Sequence, residues 1–137
     1  MDFLDQFTAK INLIPDLPAP LKKGYLGIGN SFVIYGIPGS QITDRFMDGS
    51  YVESLNYEIA MQSQDPELLH DTLWMVQTEI EKFVDIPSAD GSYEFEQITI
   101  TNKPFINQLN DQGWFIFVLD LTAEITIQNT KGAKING

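Results

Sequence analysis

The sequence contains no cysteine, few basic residues and no long apolar run. Without cysteine the chain can form neither disulfides nor thiolate metal sites, and cysteine-based catalysis is excluded. Its longest wholly apolar run, Trp114–Leu119, is far shorter than the ~20 residues that span a bilayer, and the N-terminal MDFLDQF lacks the positive charge of a secretory signal. We therefore expect a protein that is made and used without export, has no membrane partner and is held together by packing alone.

The shortage of basic residues leaves the chain strongly acidic. Eight Lys and Arg residues face nineteen Asp and Glu residues, which gives a formal net charge of −11. Thirteen of the acids lie between Asp44 and Glu96, where Arg45 and Lys82 are the only Lys or Arg residues. Tight binding to a nucleic-acid backbone relies on clustered Lys and Arg, so this composition argues against DNA or RNA as a tight ligand. Solubility is the simplest role for such acidity.

The chain does contain enough apolar surface for one core. Its 137 residues are 43% hydrophobic and 12% aromatic, and a chain of this length usually folds as one domain. We predict a single domain over residues 1–137, with a flexible polar tail at about 128–137.

Apolar residues at helical spacing predict two helices. Residues 2–14 form a short amphipathic helix that Pro15 stops, because a residue before proline is pushed out of the α region. A longer helix begins at Asp65, a favourable N-cap before Pro66, and fades near Val84. Its predicted core-facing residues are Leu69, Leu73, Val76, Ile80 and Phe83.

Alternating, β-branched and aromatic segments predict the strands. They are placed at 25–28, 32–37, 51–62, 93–101 and 114–127, and 38–50 and 103–113 are interpreted as connecting segments. A change of phase within 93–101 calls for a bulge near Gln97. The last strand begins apolar on both faces, so we expect it at the centre of the sheet beneath a helix. The predicted fold is α+β: a mostly antiparallel or mixed sheet of four to five strands, with one long and one short helix packed on it.

The motifs that could carry chemistry are incomplete. The segment Gly24–Gly29 has the glycines of a phosphate loop, but strand-like residues lie on both sides where a helix should begin. The segment Asp44–Leu55 starts like a calcium loop and ends in leucine where a bidentate glutamate is needed. His70 is the single histidine and cannot build a multi-histidine metal site, so we expect it at the surface. We predict no catalytic residues, no metal and no cofactor, and hence a protein that is not an enzyme.

One loop has the composition of a protein interface. Arg45, the only arginine, precedes Phe46, Met47 and Asp48, and arginine, aromatic residues and methionine are enriched where proteins contact one another. Asp48 and Gly49 favour a tight reversal into the following strand. We therefore predict Arg45, Phe46, Met47 and Asp48 as candidate assembly or partner contacts.

The run DRFMDGSYVESLNYEIAM, followed by the long helix, a turn and two long strands, resembles the small "minor capsid" proteins of long-tailed phages of Gram-positive bacteria, which look like tail terminators. The resemblance covers about residues 25–127 and is clearest over 36–84. It implies a virion structural protein at the head-proximal end of the tail, assembled in the host cytoplasm. Such subunits form a hexameric ring that caps the tail tube, ends its polymerisation and meets the head connector, with DNA only passing through the lumen. A ring that closes on its template would leave the isolated subunit monomeric.

Two other functions stay open on the sequence. An acidic monomer that mimics DNA could occupy a nucleic-acid-binding protein, and it would need carboxylates spaced like phosphates along an elongated face. A small hydrolase or ligand-binding domain would need a deep apolar pocket with convergent polar groups.

Overall fold

The computed structural model describes residues 2–109 and 112–128. Within them, two helices and six strands follow one another: α1 (Phe3–Ile11), β1 (Lys22–Lys23), β2 (Ser31–Gly36), β3 (Gln41–Arg45), β4 (Tyr51–Ser63), α2 (Pro66–Glu81), β5 (Tyr93–Leu109) and β6 (Phe115–Ile127). The tail predicted at about 128–137 lies outside the described residues, apart from Gln128.

The strands form one mixed sheet with the order β1-β2-β4-β6-β5, and β3 pairs with the same edge of β4 as β2 does. The β1–β2 pair is parallel and the remaining pairs are antiparallel. Strand β6 pairs along its whole length with β4 on one side and with β5 on the other, which confirms its predicted central place. The α+β class is confirmed, with six strands where four to five were expected.

Both helices pack on one face of the sheet, where the main core lies. The residues at its centre are fully buried and come from α1 (Phe3, Phe7, Ile11), α2 (Leu69, Leu73) and the strands (Ile34, Ile59, Leu119, Leu121, Ile125). Burying each large apolar side chain contributes about 1.5–3 kcal/mol. The opposite face, which we call the open face, carries only a small buried cluster of Val33, Ala60 and Val118.

Helix α2 follows its sequence signals closely. The Asp65 side chain accepts hydrogen bonds from the amides of Glu67 and Leu68 at 3.1 and 3.2 Å, so it is the N-cap. The helix ends at Glu81, slightly before the expected fade near Val84. No helix in residues 2–109 and 112–128 is long and apolar enough to cross a membrane.

The strand predicted at 25–28 is wrong. Those residues form an irregular segment between Gly24 and Gly29, whose positive φ angles of +138° and +81° interrupt extended backbone. The first strand instead lies earlier, at Lys22–Lys23. The chain is positioned for it by Asn12, whose side chain bonds both the N–H and the C=O of Leu21.

Two segments interpreted as connectors contain strands. Strand β3 lies within 38–50, and all its side chains are exposed, so no apolar alternation marks it; backbone pairing with β4 creates it. Strand β5 continues through 103–109, although Pro104 cannot donate to a ladder. Proline is tolerated there because, among the described strands, β5 is an edge strand with a partner on one side only. The predicted bulge near Gln97 is confirmed by a register shift between Phe95 and Gln97.

Candidate assembly surface

The turn between β3 and β4 brings the four predicted contact residues together. We call Arg45, Phe46, Met47 and Asp48 the hairpin tip. The Phe46 amide donates to the Ser50 carbonyl at 2.9 Å, and the Gly49 amide donates to the Phe46 carbonyl at 3.1 Å. Gly49 has φ +89°, a conformation that glycine adopts without a steric cost.

Asp48 fixes the inner side of this turn. Its Oδ1 accepts hydrogen bonds from the Ser50 hydroxyl at 2.5 Å and from the Ser50 amide at 2.9 Å. These bonds lower the pKa of Asp48, with the hydroxyl making the larger contribution. Because Ser50 is buried, the turn is anchored to the body of the protein. An ordered loop loses less conformational entropy on binding than a mobile one.

The outer side of the tip presents one cation and two apolar side chains. Met47 is fully exposed and Phe46 is 47% exposed. Arg45 is exposed as well, and its guanidinium lies 5.9 Å from the centroid of the Tyr51 ring. Exposed methionine and phenylalanine beside arginine form the kind of patch that partners bury. The role of these residues as contacts stays a prediction.

A second polar site lies on the open face and was missed by the sequence reasoning. Glu58 of β4 and Asp120 of β6 are directly opposite each other in the antiparallel register. Like charges in that position destabilise a sheet. We call these two residues the acid pair.

Hydrogen bonds satisfy only part of the acid pair. The Tyr35 hydroxyl donates to Glu58, and the Asn102 side-chain amide donates to Asp120 Oδ2 at 2.9 Å. Asp120 is 8% exposed, and its buried Oδ1 accepts no hydrogen bond from the residues that the structure describes. Within the described residues neither carboxylate forms a salt bridge. A buried acceptor left without a donor costs about 1–3 kcal/mol.

The surroundings of Glu58 favour its protonated form. Partial burial raises the pKa of Glu58 above its ordinary value, and the adjacent Asp120, which a protonated Glu58 can donate to and whose negative charge opposes ionisation, raises it further. The hydrogen bond from Tyr35 lowers the pKa, but its effect is smaller than that of burial and of the hydrogen bond to Asp120. The pair therefore holds a proton more readily than two isolated carboxylates would.

Two exposed aromatic rings flank the acid pair. Tyr25 is 77% exposed, and its ring centroid lies 5.1 Å from that of Tyr35, the residue that bonds Glu58. On the opposite side, Phe105 of β5 is in register with Val118, two positions from Asp120. Phe105 is 40% exposed, so the open face has accessible apolar surface on both sides of two carboxylates.

One sequence signal could have indicated this site. Asp120 interrupts the most apolar segment of the chain, directly after Trp114–Leu119, and a charged residue inside a central strand needs an explanation. Its proximity to Glu58 depends on the β4–β6 register, which joins segments far apart in the chain.

The cavity beside β1 and β2 offers little chemistry for a hydrolase. This cavity of about 400 Å³ is lined mainly by Pro, Tyr, Phe, Val, Met and Leu side chains, with Lys22, Asn30 and Gln62 among its polar groups. No Asp, Glu, His or Cys lines it. Among the described residues no group of three potential metal ligands occurs. His70 is exposed beside Asp71, as predicted for a surface residue.

A comparison with protein-family models shows which family the chain belongs to. A small α+β subunit that presents an ordered hairpin and an open sheet face is suited to binding other proteins. The family model described as "Bacteriophage tail terminator protein" matches residues 11–127, which is most of the chain. The protein belongs to this family and is a structural component of a phage virion. No curated protein matches the chain.

Proposed function

We propose that this protein caps the phage tail tube, ends its polymerisation and provides the surface that joins the tail to the head. Membership of the tail terminator family is the observation that carries this proposal. The same membership favours a terminator over a DNA-mimicking decoy or a small hydrolase. The subunit acts by stoichiometric binding at the head-proximal end of the tail.

The working form is a hexameric ring. Within the described chain β5 pairs only with β6, and β3 pairs only with β4, so both present an unpaired side. Unpaired strands are templates for other chains unless they are covered. A closed ring covers such surfaces by symmetry. The hairpin tip contributes contacts to a neighbouring subunit or to the tube.

The acidity of the chain suits a ring through which DNA passes. A net charge of −11 per subunit repels phosphate at close range and prevents adhesion to the wall of the lumen. Locating most carboxylates on the outer rim of the assembled ring would contradict this role for the charge.

The decisive test is electron microscopy of tails assembled with and without the protein. Without it we expect tails of uncontrolled, excessive length that do not join heads, because tube polymerisation is not stopped. With a labelled protein we expect the label at the head-proximal end. Tails of normal length in its absence would contradict the proposal.

A further inference from the structure

We propose that the acid pair is the socket for the hairpin tip of a second copy, with Arg45 of one subunit bound to Glu58, beside Asp120, of the next. This inference rests on the proposed ring and specifies its subunit contact. It assigns a role to the only arginine of the chain and to two carboxylates that form no salt bridge within the described residues.

The contact must be made between copies. Arg45 of β3 is in register with Tyr51 of β4, and Glu58 lies seven positions further along β4. At ~3.3 Å per residue this separates Arg45 from Glu58 by about 23 Å, beyond the reach of one arginine side chain. Tip and socket are therefore distinct surfaces of the same molecule.

The chemistry of the two surfaces is complementary. A guanidinium carries five N–H donors in a planar fork and binds carboxylates through parallel hydrogen bonds. Asp120 Oδ1 is buried without a donor, and Glu58 lies directly opposite it. Glu58 is the half-exposed member of the pair, and an arginine bound to it offsets the carboxylate repulsion with attraction. Lys22, which is in register with Val33 at the edge of the same face, forms no salt bridge with either acid.

The apolar residues agree with this arrangement. Met47 and Phe46 extend from the tip beside Arg45, and Tyr25 and Phe105 flank the socket. Methionine sulfur packs favourably against aromatic rings, and arginine stacks on tyrosine. Both members of the contact thus combine charge with exposed apolar surface, as interface hot spots do.

Contacts between two different surfaces also give the required symmetry. When a tip binds the socket of the next copy, the tip of that copy remains available for another subunit. Such head-to-tail contacts generate closed rings if the rotation between subunits closes.

Cysteine cross-linking tests the contact without background, because the native chain has no cysteine. Met47→Cys is combined in turn with Tyr25→Cys and with Phe105→Cys, which leaves Arg45, Glu58 and Asp120 intact. Assembled tails are treated with a short bismaleimide linker and analysed by denaturing electrophoresis. We expect multimers up to the ring size from at least one pair, and only monomers from each of the three single variants.

The matched control pairs Met47→Cys with Asp71→Cys, an exposed residue of α2 on the helix-covered side of the sheet. This pair should give no multimers. If terminated tails of normal length yield no multimers from either test pair, the socket is overturned and the proposed function stands. Cross-links exclusively to tube or connector protein would overturn it too. Normal tail length without the protein would instead refute the proposed function.

Discussion

Glu58 has a raised pKa because it lies partly buried beside a second carboxylate, and this has a consequence for stability. When the pKa of an acid is higher in the folded than in the unfolded state, the folded state binds more protons between the two values. The free energy of unfolding then falls as the pH rises through this interval. Glu58 therefore contributes stability that is present below its ordinary pKa of 4.5 and is lost as the pH rises through its higher folded-state pKa.

Glu58→Gln should remove this dependence. The glutamine carbonyl can still accept from Tyr35, and its amide can donate to the unpartnered Asp120 Oδ1. Urea unfolding of the wild type and of Glu58→Gln should be measured at several pH values. As the pH rises above the ordinary Glu pKa of 4.5, the free energy of unfolding of the variant should increase relative to that of the wild type. A difference that stays constant with pH would show that Glu58 does not titrate in this way.

Arg45→Ala and Phe46→Ala should weaken assembly without weakening the fold. Both side chains are exposed, so each should change the free energy of unfolding by no more than about 0.5 kcal/mol. Lengths of tails assembled with each variant should be greater and more variable than those of the wild type. Lys82→Ala, which removes an exposed cation near the end of α2, is the matched control and should preserve tail length.

The hairpin tip could be predicted from the sequence because its signal is local. Arg45, Phe46 and Met47 are consecutive, and the Asp-Gly turn that presents them lies in the same short run. The acid pair could not be predicted in the same way. Glu58 and Asp120 meet only through the register of two distant strands, and Asn102 donates to Asp120 from a third strand.

At the scale of elements, α2 is the one whose formation is best explained by its local sequence. Asp65→Ala removes the acceptor for two amides of its first turn and should destabilise the protein by about 1 kcal/mol. Asp71→Ala removes an exposed carboxylate later in the same helix and should have a smaller effect. If chemical denaturation showed that Asp65→Ala and Asp71→Ala reduce the free energy of unfolding equally, the effect of Asp65→Ala would not come from the lost cap.

Elements with an apolar face were predicted, and elements without one were not. Helix α2, β4 and β6 each bury alternate or periodic residues, so their patterns are visible in the chain. Strand β3 and the final part of β5 are mostly exposed. They form because backbone groups of β4 and β6 pair with them. A hydrogen-bond partner elsewhere in the chain does not change the local composition, so the sequence does not reveal it.

At the scale of the whole molecule, α1 closes the core although the family match begins only at its last residue. Phe7 is fully buried and contacts the rings of Phe3 and Phe83. Phe7→Ala should therefore reduce the free energy of unfolding by about 3–5 kcal/mol. Leu13→Ala, at an apolar position that is 81% exposed, should leave the same denaturation curve nearly unchanged. A small effect at Phe7 would mean that the sheet is stable without α1.

The central position of β6 has a consequence during translation. Both long neighbours of this strand precede it in the chain, so neither β4–β6 nor β5–β6 pairing can be completed until residue 127 has left the ribosome. A nascent chain therefore cannot display a finished socket until β6 has emerged. Subunits emerging side by side on one polysome are in this way kept from joining through the socket before that point.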